Sequence, residues 1–143
     1  AGNHVLTAYF NNPEALRRAK IWHGLKMYHR TGDSGYFDER GRLFLVGRST
    51  QTIEVEGKII YPFIFEDELQ QTEHIRRGTI LRRMDQVYII VELDNQAKRV
   101  EVENGLRTSF EMKFNLVFSE IPLDRRHHGK IDHEALIKKL GWE

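Results

Sequence analysis

Three side chains in this sequence have the types and settings that chemistry uses. Asp33 lies in a Thr31-Gly32-Asp33 turn, where the glycine lets the backbone bend tightly and the carboxylate is presented outward. A carboxylate so placed can accept hydrogen bonds from both hydroxyls of a vicinal diol such as a ribose. Arg48 ends an apolar run, Leu43 to Gly47. Its guanidinium keeps its charge and holds its donors in a fixed fork that suits phosphate or sugar oxygens. Lys130 follows Gly129 in a basic loop between Ile121-Pro122 and a terminal helical pattern. Each of the three also fits an ordinary role: an Asp that bonds its own turn, a surface Arg, a solvated Lys.

The elements that must position them follow from local pattern. Val5 to Phe10 reads as a short strand ended by Asn11-Asn12-Pro13, with Asn12 capping a helix that opens at Pro13. Met27–Arg30 and Gly35–Phe37 are strand-like, and Asp38-Glu39-Arg40-Gly41 turns into the strand Arg42–Val46. The polar run 48–52 breaks the apolar pattern and marks a boundary. Beyond it, Ile53 and Val55 alternate with Glu54 and Glu56, and Gly57-Lys58 turns into Ile59-Ile60-Tyr61. Pro62 opens a helix to about Gln71 with Phe65 and Leu69 one turn apart on its buried side. Residues 77–84 and 86–93 read as two strands, the second (VYIIVEL) apolar enough to be central. A weak helix near 103–112, a strand at 116–118 and a last helix capped by Asp132, with Leu136 and Leu140 inward, complete the pattern. Helices and mostly antiparallel strands mixed this way predict an α+β fold.

Composition removes several function classes. The 143 residues carry 30% charged side chains and a net charge of +1, so no strong field marks a nucleic-acid or membrane-surface binder. There is no cysteine, which excludes disulfides and thiol catalysis and fits a cytoplasmic, reducing setting. No apolar run approaches the roughly 20 residues of a membrane span. Ala1-Gly2-Asn3-His4 shows no signal-peptide pattern, and the absent initiator Met suggests a piece of a longer protein. His127, His128 and His133 crowd one region without the spacing of a metal site. Ser34, Ser49 and Ser109 have no base partner in the pattern. Arg76-Arg77 and Arg82-Arg83 read as a solvated, basic sheet edge.

Taken together and in order, YHRTGDSGYFDERGRLFLVGR (28–48) and Ile121-Pro122 with Gly129-Lys130-Ile131-Asp132 resemble the C-terminal end of the adenylate-forming enzymes. That superfamily holds acyl- and aryl-CoA synthetases, peptide-synthetase adenylation domains and luciferases. The resemblance covers nearly the whole chain and thins over 94–115. It implies that residues 1–48 are the last strands of a large AMP-binding domain. Residues 49–143 would then be the C-terminal lid, a hairpin plus a sheet of about three strands with flanking helices. It further implies a reaction in which a carboxylic acid, such as a fatty or related acid, and ATP with magnesium give an acyl-adenylate, usually passed on to coenzyme A. In that frame Asp33 binds the AMP ribose, Arg48 the ribose or phosphate, and Lys130 is the catalytic lysine. Ser49 and Thr50 form the hinge, with Thr50 where the family usually has Asp or Lys. Glu54 and Gly57 lie on the lid loop that faces the second half-reaction.

Two departures qualify the thioester outcome. Gly57, Pro62 and Glu66 match the family's lid pattern, but its leading lysine is replaced by Glu54, an awkward neighbour for anionic coenzyme A. Pro122 to Lys130 spans eight positions, longer than the family's usual spacing. The stretch Pro122-Leu123-Asp124-Arg125-Arg126-His127 is similar to that of a sub-branch with olefin-pathway β-lactone synthetases, which close a β-hydroxy acyl-adenylate without coenzyme A. The alternatives are therefore a β-lactone-forming or other non-thioester adenylating enzyme, and an α+β binding module that keeps the lid scaffold without catalysis. The large N-terminal domain would be the chain's essential partner, and the fragment alone is expected to be inactive.

Overall fold

A computed structural model describes residues 6–125 and 129–143. The chain divides into two compact units, Ala1–Thr50 and Gln51–Glu143.

In the first unit, helix α1 (Pro13–Ala19) opens as its sequence dictates. Pro13 occupies the first turn and the Asn12 side chain accepts the Ala15 N–H at 2.9 Å. Strands β1 (Lys20–His23) and β2 (Lys26–His29) pair as an antiparallel hairpin. The expected strand over Val5–Phe10 does not form in its described part, residues 6–10. Leu6 and Phe10 are exposed, and an apolar run with no neighbouring ladder has nothing to satisfy its backbone. Strands β3 (Asp33–Phe37) and β4 (Leu43–Arg48) form a second hairpin with a bulge at Ser34/Gly35. Its turn is closed by the Asp38 carboxylate, which accepts the N–H groups of Arg40 (3.0 Å) and Arg42 (2.8 Å). Val46 is the one buried apolar side chain among the described residues of this unit.

The second unit holds the core. Strands β5 (Ile53–Val55) and β6 (Lys58–Ile60) make a short hairpin whose turn residues Glu56 and Gly57 both have positive φ, 50° and 78°. Helix α2 (Pro62–Gln70) buries Pro62, Phe65 and Leu69. Strand β7 (Ile75–Arg83) pairs antiparallel with β8 (Gln86–Leu93). Helix α3 (Arg99–Ser109) then carries the chain to β9 (Asn115–Phe118), parallel to β8, so the order is β7-β8-β9. Helix α4 (His133–Lys139) is capped by Asp132, whose side chain accepts the Ala135 N–H at 3.0 Å. The fold is α+β, with mostly antiparallel strands.

β8 is central, and its alternation sends side chains to both faces. Ile89 and Val91 pack with Phe65, Leu69, Val102 and Leu106 beneath α2 and α3. Ile90 packs on the other face with Ile121, Ile131 and Leu136. α2 lies close on β7: a Cβ built on Gly78 would sit 2.5 Å from Leu69 Cδ1 and 2.9 Å from its Cβ. α3 begins and ends earlier than the expected 103–112. The Asn95 side chain starts a 3-10 turn at Gln96–Lys98 by accepting the Ala97 N–H, and the helix follows directly. Beyond Ser109, Phe110, Met112 and Phe114 leave the helix to pack against the core. Among the described residues no helix is long and apolar enough to cross a membrane.

Candidate active-site residues

In the first unit, Asp33 and Arg48 are register partners across β3 and β4. Gly32 turns the chain into β3 at φ 79°, a conformation that carries no steric cost for glycine. Its carbonyl accepts both the backbone N–H (2.8 Å) and the hydroxyl (2.9 Å) of Ser49, which locks the turn to the end of β4. Arg48 Nη1 donates to the Thr31 carbonyl at 2.8 Å and lies 3.1 Å from Asp33 Oδ1. The two side chains are part-exposed, at 48% for Arg48 and 32% for Asp33. A carboxylate and a guanidinium thus share one rim, the Arg engaging one carboxylate oxygen while the group stays open to solvent. Such a rim presents acceptors and donors together, as a ribose diol with its phosphate requires. Ser49 and Thr50 lie in a 3-10 turn, Ser49–Gln51, that runs across the junction of the two units.

In the second unit, Lys130 does not sit at a loop tip. The Asp124 N–H donates to the Lys130 carbonyl at 2.8 Å, and the Asp132 N–H donates to the Pro122 carbonyl at 2.9 Å. Leu123 and Ile131 face each other as an antiparallel bridge between these bonds. The result is a short two-stranded neck. Ile131 turns inward to the core at 7% exposure, and alternation along the neck sends Lys130 outward, where it is exposed. The Lys130 ammonium makes no ion pair among the described residues. His127 and His128 lie outside the described residues.

Both ends of this neck are held by groups the sequence reading did not connect. At the incoming end, Glu92 of β8 is buried and its Oε2 accepts the Ile121 N–H at 2.9 Å. Its Oε1 lies 3.3 Å from Arg76 and 3.1 Å from Arg77, so these arginines serve a buried acid as well as lining an edge. Lys139 of α4 holds Glu120 at 2.8 Å; its hydrogen bond, then its charge, draws the Glu120 carboxyl below the ordinary glutamate range. At the outgoing end, His133 stands 3.1 Å from Glu66 of α2 and 3.0 Å from Gln51. Glu66 had a signal, its place in the lid pattern. Glu92 had one too, as a lone acid in an apolar strand.

Glu54 and Gly57 are elsewhere in this unit, on β5 and its turn. Glu54 borders a groove of about 420 Å³ with Glu56, Arg82, Asp85, Lys113 and Asn115. Arg82 spans it, donating to the Glu54 carbonyl at 3.3 Å and pairing with Asp85 at 3.2 Å.

No family model matches the chain. It is 29% identical over 153 residues to an olefin beta-lactone synthetase of Stenotrophomonas maltophilia, covering 95% of this chain and 28% of that protein. It is 41% identical over 145 residues to the oxalate–CoA ligase of Saccharomyces cerevisiae, covering 94% of this chain and 26% of that one. The chain therefore spans little more than a quarter of the length of these relatives. Among solved structures, the ATP-bound MatB of Rhodopseudomonas palustris matches 100% of this chain and 30% of its own, with a TM-score of 0.70 at 20% identity. These relatives and structural neighbours are adenylate-forming enzymes, and the chain matches a C-terminal portion of them.

Proposed function

We propose that this chain is the C-terminal part of a ligase that uses ATP to activate a carboxylic acid as its acyl-adenylate. The observation that carries this reading is the placement of Lys130, outward-facing on a hydrogen-bonded neck anchored to the core. In adenylation a carboxylate oxygen attacks the α-phosphorus, the bond to the bridging oxygen breaks, and pyrophosphate leaves. Negative charge builds on the α-phosphate oxygens, and a preset ammonium that meets it there lowers the barrier. Asp33 would take the ribose hydroxyls and Arg48 the ribose or phosphate oxygens. Magnesium would accompany the nucleotide's phosphates. Ser49 and Thr50 would serve as the hinge between a large AMP-binding domain ending near residue 48 and a lid over 49–143.

Coenzyme A is the usual acceptor among such ligases, with a fatty or related acid as substrate. A second reading, closure of a β-hydroxy acyl-adenylate to a β-lactone, is favoured by Glu54. A carboxylate on the lid loop, beside Glu56 and Asp85, would repel the phosphates of coenzyme A. The relative from Stenotrophomonas, named for β-lactone synthesis, supports it.

The test is acid-dependent ATP–pyrophosphate exchange in the enzyme that carries this chain. Lys130→Ala is expected to lower exchange roughly 100-fold or more, the scale of losing one preset charge-stabilising group. Normal exchange in that variant would overturn the assignment. Adding coenzyme A and looking for thioester then separates the two acceptors.

A further inference from the structure

We propose that His133 is a positioning residue: it ties Gln51, the first residue after the hinge position, and the helix behind Lys130 to one buried carboxylate, Glu66. The segment leaving the hinge and the lysine-bearing neck then move as one body. The inference rests on the reading of Thr50 as the hinge and of Lys130 as the adenylating lysine.

The four groups come from four separate places in the second unit. Gln51 is its first residue, Glu66 lies on α2, Thr79 on β7 and His133 opens α4. Thr79 is fully buried and donates its hydroxyl to Glu66 Oε1 at 2.6 Å, and the same oxygen lies 3.1 Å from His133 Nε2. The side chains of His133 and Glu66 are each only 17% exposed. A carboxylate accepts only, so the ring proton belongs on Nε2. Nδ1 of that tautomer is an acceptor, and the Gln51 amide stands 3.0 Å from it as the donor. The chain of bonds runs in one direction, from Gln51 to His133 to Glu66, and every member is satisfied.

What this network holds is set by its neighbours along the chain. His133 follows Asp132, which caps α4 with its side chain and closes the neck with its backbone N–H. Lys130 is the residue paired to Asp124 across that same neck. Gln51 follows Thr50 directly and ends the 3-10 turn that begins at Ser49. Gln51 therefore cannot change place relative to α4 without breaking its bond to His133. Because Glu66 and Thr79 sit on elements packed into the core, the link is referred to the body of the unit rather than to a mobile surface. A hinge motion would carry the neck with it instead of leaving the lysine to follow through a slack linker.

Hydrogen–deuterium exchange on the full chain tests this directly. His133→Ala should speed exchange both over residues 51–53 and at the neck amides of Asp124 and Asp132, each by about fivefold or more, the scale of one lost hydrogen bond. The β7–β8 amides should keep their protection. Acceleration on one side only would refute the link. If His133→Ala fails to fold, Gln51→Ala removes one half-buried amide, and an unchanged Asp132 amide in that variant refutes the link equally. In the enzyme, titrated for active sites, His133→Ala and Gln51→Ala should lower kcat for pyrophosphate exchange with the ATP KM held within about twofold, as expected for a group acting through the lysine's position. His133→Gln, which keeps a donor and an acceptor, should recover part of that loss. Normal exchange in Lys130→Ala would sink the catalytic assignment of Lys130 while leaving the amide-exchange link standing. Loss of exchange in Lys130→Ala, with residues 51–53 indifferent to His133, would sink the link alone.

Discussion

Glu92→Ala should destabilise the second unit more than its single hydrogen bond to Ile121 would suggest. The carboxylate is buried, its Oε2 accepts the Ile121 N–H at 2.9 Å, and Ile121 is itself only 3% exposed. Truncation leaves that N–H without an acceptor in a dry place, which costs about 1–3 kcal/mol. The pairs with Arg76 and Arg77 add less. Arg76 is 56% exposed and Arg77 30%, so solvent screens both and each contributes at most about 1 kcal/mol. The expected loss is about 2–4 kcal/mol, seen as a lower urea midpoint at unchanged slope and a melting drop of about 10 °C or more. Glu92→Gln keeps a neutral oxygen for Ile121 and gives up only the arginine pairs, so its loss should be about 1 kcal/mol. The Ile121 amide should exchange fast in the alanine variant and slowly in the glutamine one. The reasoning fails if the two variants are equally damaging, because the arginines would then be the main partner. It fails as well if alanine costs nothing.

Two further perturbations probe the packing and the turn. Gly78→Ala should cost about 1–3 kcal/mol, since the new methyl would overlap the fully buried Leu69, and adding Leu69→Ala should cost less than the sum of the two single changes. Strict additivity would show that α2 is not seated on β7 at Gly78. The Asp38 carboxyl is held below its ordinary value, chiefly by the Arg42 backbone N–H, then by the Arg42 side chain and the Arg40 N–H. A lowered folded-state value means the turn's stabilisation is complete above the ordinary Asp range and is lost as pH falls through the lowered one. The Arg40 and Arg42 amide shifts should therefore titrate together with a midpoint below that of an unstructured Asp, and Asp38→Asn should abolish the transition. A midpoint at the ordinary value would refute it.

How much of this was legible beforehand depended on the range of the forces involved. α4 was readable because its determinants are local: Asp132 three residues before the N–H it caps, and Leu136 on the inward stripe. β8 was readable because a strand covered on both faces must be apolar on both. Lys20–His23 was missed as a strand because it is a short, largely exposed ribbon whose stability comes from its partner at 26–29. Val5–Phe10 was misread for the converse reason: it has strand composition, and its described part has no partner. The side-chain network was out of reach. Gln51 and Glu66 stand 82 and 67 positions from His133, and no local pattern encodes a meeting at that separation. What the sequence did carry was each residue's oddity, a Glu inside an apolar strand and a His opening a helix.

The long spacing from Pro122 to Lys130 takes on a different meaning once the neck is in view. Counted along the chain, the extra length looks as though it must displace the lysine. The hydrogen bonds say where the length goes. Pro122 and Asp124 are paired with Asp132 and Lys130, so the added residues fall in the sequence between Asp124 and Lys130. Lys130 is placed from its other side, through buried Ile131, capping Asp132 and His133 on Glu66. The distance that fixes the ammonium is therefore the short one from Lys130 to α4, which the insertion does not touch. Changing the length of 125–129 should leave the adenylation proposed for Lys130 largely intact, whereas inserting a single residue between Lys130 and Asp132 should abolish it. The insertion would flip the alternation and turn Lys130 toward the core. Pyrophosphate exchange on the two kinds of length variant separates the cases, and equal losses in both would show that loop length, not the neck, sets the lysine.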